Sequence, residues 1–336
     1  MPGKISFLTL NKGYGGAEKM FRYLADSYSA KYPDDVLKLI EIDLRRVSIF
    51  HVVRILWSLR GSLVFWNCSV LGIHWYFLLI AKMFGARIAL YPHLVVDHRL
   101  LESKFAKIRN AQMMASLRLV DYVVSISEGN DERIRNIHRK TKLVPVRNFV
   151  ESENLEAFHG GLNYRRVAVI GRIQEKHKGQ VALLKALKPI LGKGSFCIDF
   201  FGSGPDEESL KSCIESLGLG ECCVLHGWKT EPEIYKNDFG IVINYSRWEG
   251  LSLGLLEAIF HNRIVVGNDI LGNRELLDQN RLFKNEDELV QLMVDLQKTP
   301  EDALILEANA KKHEIQRKYS KNLSLSHLHE FTTSRC

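Results

Sequence analysis

The sequence predicts an α/β protein made of two Rossmann-like domains that face each other across a cleft. The chain has 336 residues, more than one hydrophobic core usually supports. Short apolar segments alternate with amphipathic segments up to about residue 150, and the alternation starts again at residue 164. Residues 148–163 have few regularly spaced apolar side chains and include Gly160 and Gly161, as is typical of a linker. We therefore expect domains at 1–150 and 164–315, and a helical segment at 316–336 that returns to the first domain.

Composition indicates a soluble protein of the cytoplasm. The hydrophobic fraction of 46% and the charged fraction of 25% are ordinary for such proteins. The six cysteines lack the paired spacing of metal ligands, and the adjacent Cys222 and Cys223 are poorly placed to bridge each other. Reduced cysteines fit a cytosolic protein best. We expect no signal peptide, since a short strand begins at Ile5.

Charge is unevenly distributed along the chain. Residues 1–150 hold 23 Lys and Arg against 12 Asp and Glu, whereas residues 151–336 hold 23 against 27. A basic first domain favours an anionic partner: a lipid surface, a phosphorylated acceptor or a nucleic acid. No DNA- or RNA-binding motif accompanies the charge, so a nucleic-acid partner is not expected.

The first strand, at residues 5–10, leads into a glycine-rich turn that contains Gly15 and Gly16. A helix follows whose one face carries Met20, Phe21, Leu24 and Tyr28. A strand, a glycine turn and a helix N-terminus together make an anion-binding arrangement, although a merely tight turn would look the same. The G-x-G-x-x-G fingerprint is not met, which disfavours a nicotinamide cofactor.

A second strand at 36–42 precedes a helical pattern at 44–59 of unusual character. Its apolar side chains at helical spacing are Val47, Phe50, Val53 and Trp57, and its cations are Arg45, Arg46, Arg54 and Arg60. Basic amphipathic helices with Trp and Phe often lie on membranes, which would place the protein peripherally on the inner face of the cytoplasmic membrane. A face buried against the sheet explains the spacing equally well.

Residues 63–81 carry no charged side chain, yet they do not predict a membrane span. Polar residues and Gly72 interrupt them, and they divide into a strand at 63–66 and a helix at 71–84. The next strand, 87–91, ends at Pro92 and His93, which places an imidazole at the carboxyl edge of the sheet. A lone histidine there is more often structural. A basic helix at 99–119 is a second candidate for membrane or acceptor contact, and strands at 121–126 and 142–146 complete this domain.

The second domain opens with a strand at 166–170, after which Arg172 and Lys178 share one βα loop. A guanidinium and an ammonium that converge from one loop suit a diphosphate, whereas solvated loop cations are the plainer alternative. A strand at 196–201 leads into Gly202-Ser203-Gly204-Pro205, a close turn without a third fingerprint glycine. Further strands are predicted at 224–226, 239–243 and 263–266, and one long polar helix at 300–331.

The stretch after the strand at 238–244 carries two glutamates beside one helix N-terminus. We expect a helix from about Leu251, with Glu249 just before it and Glu257 about two turns inside it. The backbone amides of Gly250, Leu251 and Ser252 would point outward to a polar or phosphorylated ligand. A capped helix that carries two glutamates by chance is the alternative.

Taken in order, these motifs resemble those of the retaining glycosyltransferases of family four, which have the GT-B architecture. The motifs are Gly15-Gly16-Ala17-Glu18, His93, Gly171-Arg172, Lys178-Gly179, Gly202-Ser203-Gly204-Pro205 and the E-x7-E pair of Glu249 and Glu257. The resemblance covers nearly the whole chain, and its most specific part is the E-x7-E stretch together with the Arg172–Lys178 loop.

The resemblance implies a donor site in the second domain. Arg172 and Lys178 would neutralise the donor diphosphate in place of a metal ion, so neither a metal nor a cofactor is expected. Glu257 would hold the ribose hydroxyls. Glu249, with the amides of residues 250–252, would bind the donor sugar.

The resemblance also implies a contribution from the first domain. Gly15 and Gly16 would form a phosphate contact through the Gly16 N–H, and His93 would reach the transferring sugar. Trp248 and Leu251-Ser252-Leu253 depart from the commonest family pattern at the donor-sugar pocket, which leaves the identity of the sugar open.

The implied reaction is retaining, metal-independent transfer of a hexose from a nucleotide sugar to a glycan or lipid-linked acceptor in surface polysaccharide or lipopolysaccharide synthesis. A UDP-sugar is favoured over a GDP-sugar as donor. A GT-B sugar-nucleotide epimerase and a non-catalytic sugar-nucleotide binder are the alternatives.

Overall fold

The computed structural model describes residues 5–10, 16–44, 46–68, 75–95, 104–150, 161–192 and 195–334. Gly15 and Arg45 lie outside the described residues. The chain forms two compact units, Met1–Phe149 with Tyr319–Cys336, and Val150–Lys318.

The first unit is a six-stranded parallel sheet in the order β2-β1-β3-β4-β5-β6. Its strands are β1 (Ile5–Thr9), β2 (Val36–Glu41), β3 (Leu63–Cys68), β4 (Arg87–Pro92), β5 (Tyr122–Val124) and β6 (Leu143–Val144). Its helices are α1 (Gly16–Lys31), α2 (Ile49–Ser58), α3 (Trp75–Met83), α4 (Ala106–Leu119), α5 (Glu128–Ile137) and the C-terminal α14 (Lys321–Ser334).

Helix α1 buries the apolar face predicted for it, since Met20, Phe21, Leu24 and Tyr28 are all buried. The C-terminal α14 packs in the same unit. The Tyr28 hydroxyl lies 3.0 Å from Thr332 Oγ1, and the Phe331 ring meets that of Tyr122 edge to face. The predicted return of the chain to the first unit is therefore observed.

Helix α2 is shorter than the predicted helix at 44–59. It begins at Ile49 because the Ser48 hydroxyl accepts a hydrogen bond from the His51 N–H at 3.3 Å and so caps the helix. Its buried side chains are Val52 and Leu56. Phe50 and Trp57 are exposed, so the interpretation in which they pack against the sheet is wrong.

The second unit is another six-stranded parallel sheet, in the order β12-β11-β10-β7-β8-β9. Its strands are β7 (Asn163–Ile170), β8 (Cys197–Phe201), β9 (Cys223–Leu225), β10 (Phe239–Asn244), β11 (Ile264–Asn268) and β12 (Leu282–Phe283). Its helices are α6 (Glu175–Lys178), α7 (Gln180–Leu187), α8 (Glu207–Ser216), α9 (Glu231–Tyr235), α10 (Leu253–Phe260), α11 (Leu271–Arg274), α12 (Glu286–Lys298) and α13 (Glu301–Lys318).

The C-terminal region contains two helices where the sequence predicts one. Helix α13 belongs to the second unit and α14 to the first. Between them Ser320 starts a new helix, because its hydroxyl accepts a hydrogen bond from the Leu323 N–H at 3.2 Å. Tyr319 is buried at this break.

The uncharged stretch at 63–81 supplies β3 and the start of α3, as predicted. Among the described residues, no helix combines the length and the hydropathy needed to cross a bilayer.

Candidate active site

The loop between β7 and α7 holds the two predicted cations at the carboxyl edge of the second sheet. Gly171 has a φ of +142°, and Arg172 follows it as an exposed residue. The buried Gln180 side chain fixes this loop, since its Nε2 donates to the Arg172 carbonyl at 2.9 Å and its Oε1 accepts from the Gln174 N–H at 3.2 Å. Lys178 is the last residue of α6, and the left-handed Gly179 ends that helix.

The loop after β8 packs directly behind the first loop. A Cβ atom on Gly202 would lie 1.9 Å from the Gly171 carbonyl oxygen, and one on Gly204 would lie 2.0 Å from that of Ile173. Only glycine permits these approaches. The glycine pair therefore acts as a backbone contact that positions the Arg172 loop.

The third component follows β10, where Asn244 organises the turn. Its Nδ2 donates to the Ser252 hydroxyl at 2.7 Å, and its Oδ1 accepts from the Ser246 N–H at 2.9 Å. The Ser252 hydroxyl in turn accepts from the Leu255 N–H at 3.4 Å. Ser252 is thus the N-cap of α10, and its hydroxyl is used in hydrogen bonds that hold the turn and the helix start.

This cap corrects the predicted start of the helix near Leu251. Helix α10 begins at Leu253, so Glu257 is its fifth residue, just over one turn inside rather than two. Gly250, Leu251 and Ser252 lie in the turn before the helix and are buried. Glu257 itself is half-buried.

Lys178 and Glu249 form an ion pair that joins the first and third components. Lys178 Nζ lies 2.5 Å from Glu249 Oε1, and the Lys178 head group also approaches Gly171. Burial by itself would raise the pKa of the Glu249 carboxyl, but the charges of Lys178 and His177 and its hydrogen bonds outweigh burial and lower the pKa below its usual value. Glu249 is therefore ionised at neutral pH.

His177 and Trp248 reinforce that pair, and the sequence analysis did not identify them together. The two rings stack with centroids 5.0 Å apart, and His177 Nε2 lies 2.9 Å from the Trp248 carbonyl oxygen. Because a carbonyl oxygen only accepts, Nε2 must carry a proton. The Arg247 N–H donates to the His177 carbonyl at 2.9 Å. These contacts fix the positions of the residues next to Lys178 and Glu249.

In the first unit, His93 ends a polar chain across the carboxyl ends of three strands. Asn67 Nδ2 donates to Thr9 Oγ1 at 3.1 Å, and Asn67 Oδ1 lies 3.0 Å from His93 Nε2. Nε2 therefore carries the proton and Nδ1 is the acceptor. Burial lowers the pKa of His93 to about 3, so the ring is neutral at physiological pH. Gly16 is the exposed first residue of α1.

Within the second unit, the structure brings Lys178 and Glu249 into contact and places Arg172 in the same loop as Lys178. No ion pair links Arg172 to another described residue. In the part of the chain that the structure describes, no group of three or more His, Cys, Asp or Glu side chains could hold a metal ion.

A family model and a curated relative both match part of this chain. Residues 164–299 match the family model "Glycosyl transferases group 1". A curated relative, the poly(ribitol-phosphate) alpha-N-acetylglucosaminyltransferase of Staphylococcus aureus (strain COL), is 26% identical over 211 residues. That alignment covers 60% of this chain and 41% of the relative.

Solved structures agree over nearly the full length. The apo lipopolysaccharide outer core galactosyltransferase WaaB is 18% identical with a TM-score of 0.72, covering 99% of this chain and 100% of that one. Anabaena HepE, solved with UDP and glucose, is 17% identical with a TM-score of 0.78 and the same coverage. The two parallel six-stranded sheets with interleaved helices are thus a GT-B fold, and residues 164–299 of its second unit match the glycosyltransferase group 1 model.

Proposed function

We propose that this protein is a retaining, metal-independent glycosyltransferase that moves a hexose from a nucleotide sugar to a saccharide acceptor. One observation carries the proposal: the ammonium of Lys178 and the ionised carboxylate of Glu249 meet at 2.5 Å, between the glycine loop after β7 and the turn that caps α10. A cation for a diphosphate and an anion for sugar hydroxyls thereby occupy one small site. The group 1 match over residues 164–299 includes both residues.

The negative charge that develops as the donor bond breaks explains the need for the two cations. Breaking the bond between the anomeric carbon and phosphate leaves negative charge on the departing diphosphate. Lys178 and the exposed Arg172 are proposed to stabilise that charge, which lowers the barrier if they bind the leaving group more tightly than the intact donor. The acceptor attacks from the face that the diphosphate leaves, and a phosphate oxygen takes its proton.

Glu249 is proposed to orient the donor sugar rather than to attack it. An ionised carboxylate is an acceptor only, so it binds sugar hydroxyls through their protons. Lys178 keeps it ionised and in place. Glu257, with Gly250, Leu251 and Ser252, completes the proposed donor contacts, the last three through backbone groups because the Ser252 hydroxyl caps α10.

In the first unit, the proposal assigns His93 to the transferring sugar and Gly15 and Gly16 to the donor phosphate. A neutral His93 whose Nδ1 carries no proton can accept a hydrogen bond from a hydroxyl without adding charge. Asn67 determines this tautomer.

A UDP-sugar is the favoured donor and a cell-surface glycan or lipid-linked saccharide the favoured acceptor. HepE has been solved with UDP-glucose, and WaaB is named for the lipopolysaccharide outer core. The Staphylococcus aureus relative is named for transfer to an anionic polymer, poly(ribitol-phosphate), which agrees with the basic charge of residues 1–150.

The test is transfer from UDP-hexoses and GDP-hexoses to a panel of saccharide acceptors, with anomeric configuration read by NMR. We expect turnover with a UDP-sugar, retention at the anomeric carbon, and unchanged rates in EDTA. Donor incubated without acceptor should not epimerise. Formation of an epimer would favour the epimerase alternative over glycosyl transfer. Inversion, or rates restored only by a divalent ion, would contradict the proposed mechanism.

A further inference from the structure

Three neighbouring helices that cover one side of the first unit's sheet expose large apolar side chains. In the order β2-β1-β3-β4-β5, right-handed crossovers place α2, α3 and α4 on the same side of the sheet. Helix α2 packs beside α3, and α3 beside α4. We call the outer surface of these helices the three-helix face.

Each helix contributes a stripe at helical spacing. On α2, Phe50 is 82% exposed and Trp57 51%, and they share one side with Arg54 as positions i, i+4 and i+7. The other exposed apolar residues of the face are Ile49 on α2, Tyr76, Leu79 and Met83 on α3, and Phe105 and Ile108 at the start of α4. Inward-facing residues of the same helices, such as Val52, Leu56 and Phe77, already supply the core contacts.

The three-helix face is also positively charged. Helices α2, α3 and α4 contain no Asp or Glu at all. Exposed cations on or beside these helices are Arg46, Arg54, Arg60, Lys104, Lys107 and Arg109. The Arg60 guanidinium lies 4.0 Å from the centre of the Trp57 ring, so a cation and an aromatic ring occupy one spot.

Apolar side chains surrounded by cations match the interface of an anionic bilayer. Phe, Trp and Met side chains gain by leaving water for the acyl boundary, while Arg and Lys remain at the level of the phosphates. A second copy of this chain fits poorly, because a symmetric dimer would oppose two faces of the same charge.

We propose that the three-helix face docks on anionic lipid, with Phe50, Trp57 and Met83 inserted and Arg54 and Arg109 near the headgroups. This role goes beyond glycosyl transfer and does not depend on it, since lipid binding is measured without donor or acceptor. It also extends the sequence prediction, which considered the helices separately and left the direction of Phe50 and Trp57 open.

The experiment is co-sedimentation of the full chain with phosphatidylcholine vesicles, with and without about one third phosphatidylglycerol. We expect binding to the anionic vesicles that weakens with added salt, because exposed charges are screened. Arg54→Gln should weaken binding about fivefold, the effect of about 1 kcal/mol per cation near the surface. Phe50→Ser should weaken it about tenfold through lost apolar burial.

Matched controls come from the second unit. Trp228→Ser removes another exposed tryptophan, and Lys211→Gln another exposed cation. Both should bind like the unaltered protein, and all four variants should keep its melting temperature because the side chains are exposed. Several results would overturn the proposal: no binding to anionic vesicles, equal binding to neutral ones, or an equal loss in Trp228→Ser. If the protein binds no vesicles but forms a dimer that Phe50→Ser dissociates, the three-helix face binds a second copy instead of lipid. If it binds an acidic protein but no vesicles, that protein is the partner.

Discussion

Replacement of Lys178 by alanine tests the ion pair on which the proposed site depends. Only 12% of the Glu249 side chain and 21% of the Lys178 side chain are exposed. Removing one partner of a fully buried pair costs about 3–5 kcal/mol, and losing an exposed pair about 0–1 kcal/mol. Because this pair lies between those limits, we expect Lys178→Ala to lower the free energy of unfolding by about 2 kcal/mol.

Arg172→Ala is the matched control, since it removes a cation from the same loop. Arg172 is exposed and has no ion pair to a described residue, so its loss should change the free energy of unfolding by less than about 0.5 kcal/mol. Urea unfolding at neutral pH measures both changes. A double-mutant cycle with Glu249→Gln should show about 1 kcal/mol or more of coupling for Lys178 and none for Arg172.

Activity should not separate the two cations as stability does. Each is proposed to stabilise the departing diphosphate, so each alanine variant should lose about 10²–10³-fold in kcat. Equal losses of stability in the two variants, or additive effects of Lys178→Ala and Glu249→Gln in the double-mutant cycle, would refute the inferred Lys178–Glu249 ion pair. Normal turnover in the Arg172→Ala, Lys178→Ala double variant would refute the assignment of the donor site.

Three further outcomes follow from the same geometry. His177→Phe keeps a ring over Trp248 but loses the hydrogen bond to its carbonyl; we expect a loss of about 1 kcal/mol in the free energy of unfolding and a higher donor KM, whereas an unchanged KM would limit His177 to a packing role. His93 binds its proton far more weakly in the folded protein than in the unfolded chain, so stability should fall as the pH drops below about 6.5. Between about pH 7.5 and 5.5, the free energy of unfolding of the unaltered protein should fall by about 1.4 kcal/mol more than that of His93→Gln. Equal changes in the two proteins, measured by urea unfolding, would contradict this. Gly202→Ala forces a Cβ against the Gly171 carbonyl at a positive φ and should cost about 3 kcal/mol or prevent folding, while Gly220→Ala, with open space around it, should be neutral in thermal unfolding.

Sequence reasoning worked where the controlling interactions are local. The apolar spacing of α1 predicted its buried side, and Gly202 and Gly204 after β8 predicted a close turn. Capping was the local signal that was missed. Ser48 and Ser252 each start their helix later than periodicity alone indicates, and Ser320 divides the C-terminal region into two helices. Serine before an apolar stretch is a recognised N-cap signal and could have set these boundaries.

Helix α2 shows what periodicity leaves undecided. Its apolar residues cover more than half of the helix circumference, so two stripes compete for the sheet. Val52 and Leu56 take the buried side, while Phe50 and Trp57 face out. The choice depends on which stripe fits the neighbouring strands and α3, a property of packing that no short window of sequence contains.

By itself, the sequence determined the α/β alternation and the close glycine turn after β8, because spacing over a few residues encodes them. It also predicted two domains, and its resemblance to a known family selected the cations and carboxylates of the candidate donor site. Only the tertiary structure decided that Lys178 pairs with Glu249, that His177 stacks on Trp248, and that Asn67 sets the tautomer of His93. These partners lie 71, 71 and 26 positions apart in the chain. They meet because parallel strands bring their carboxyl ends to one edge of each sheet, where loops distant in sequence become neighbours.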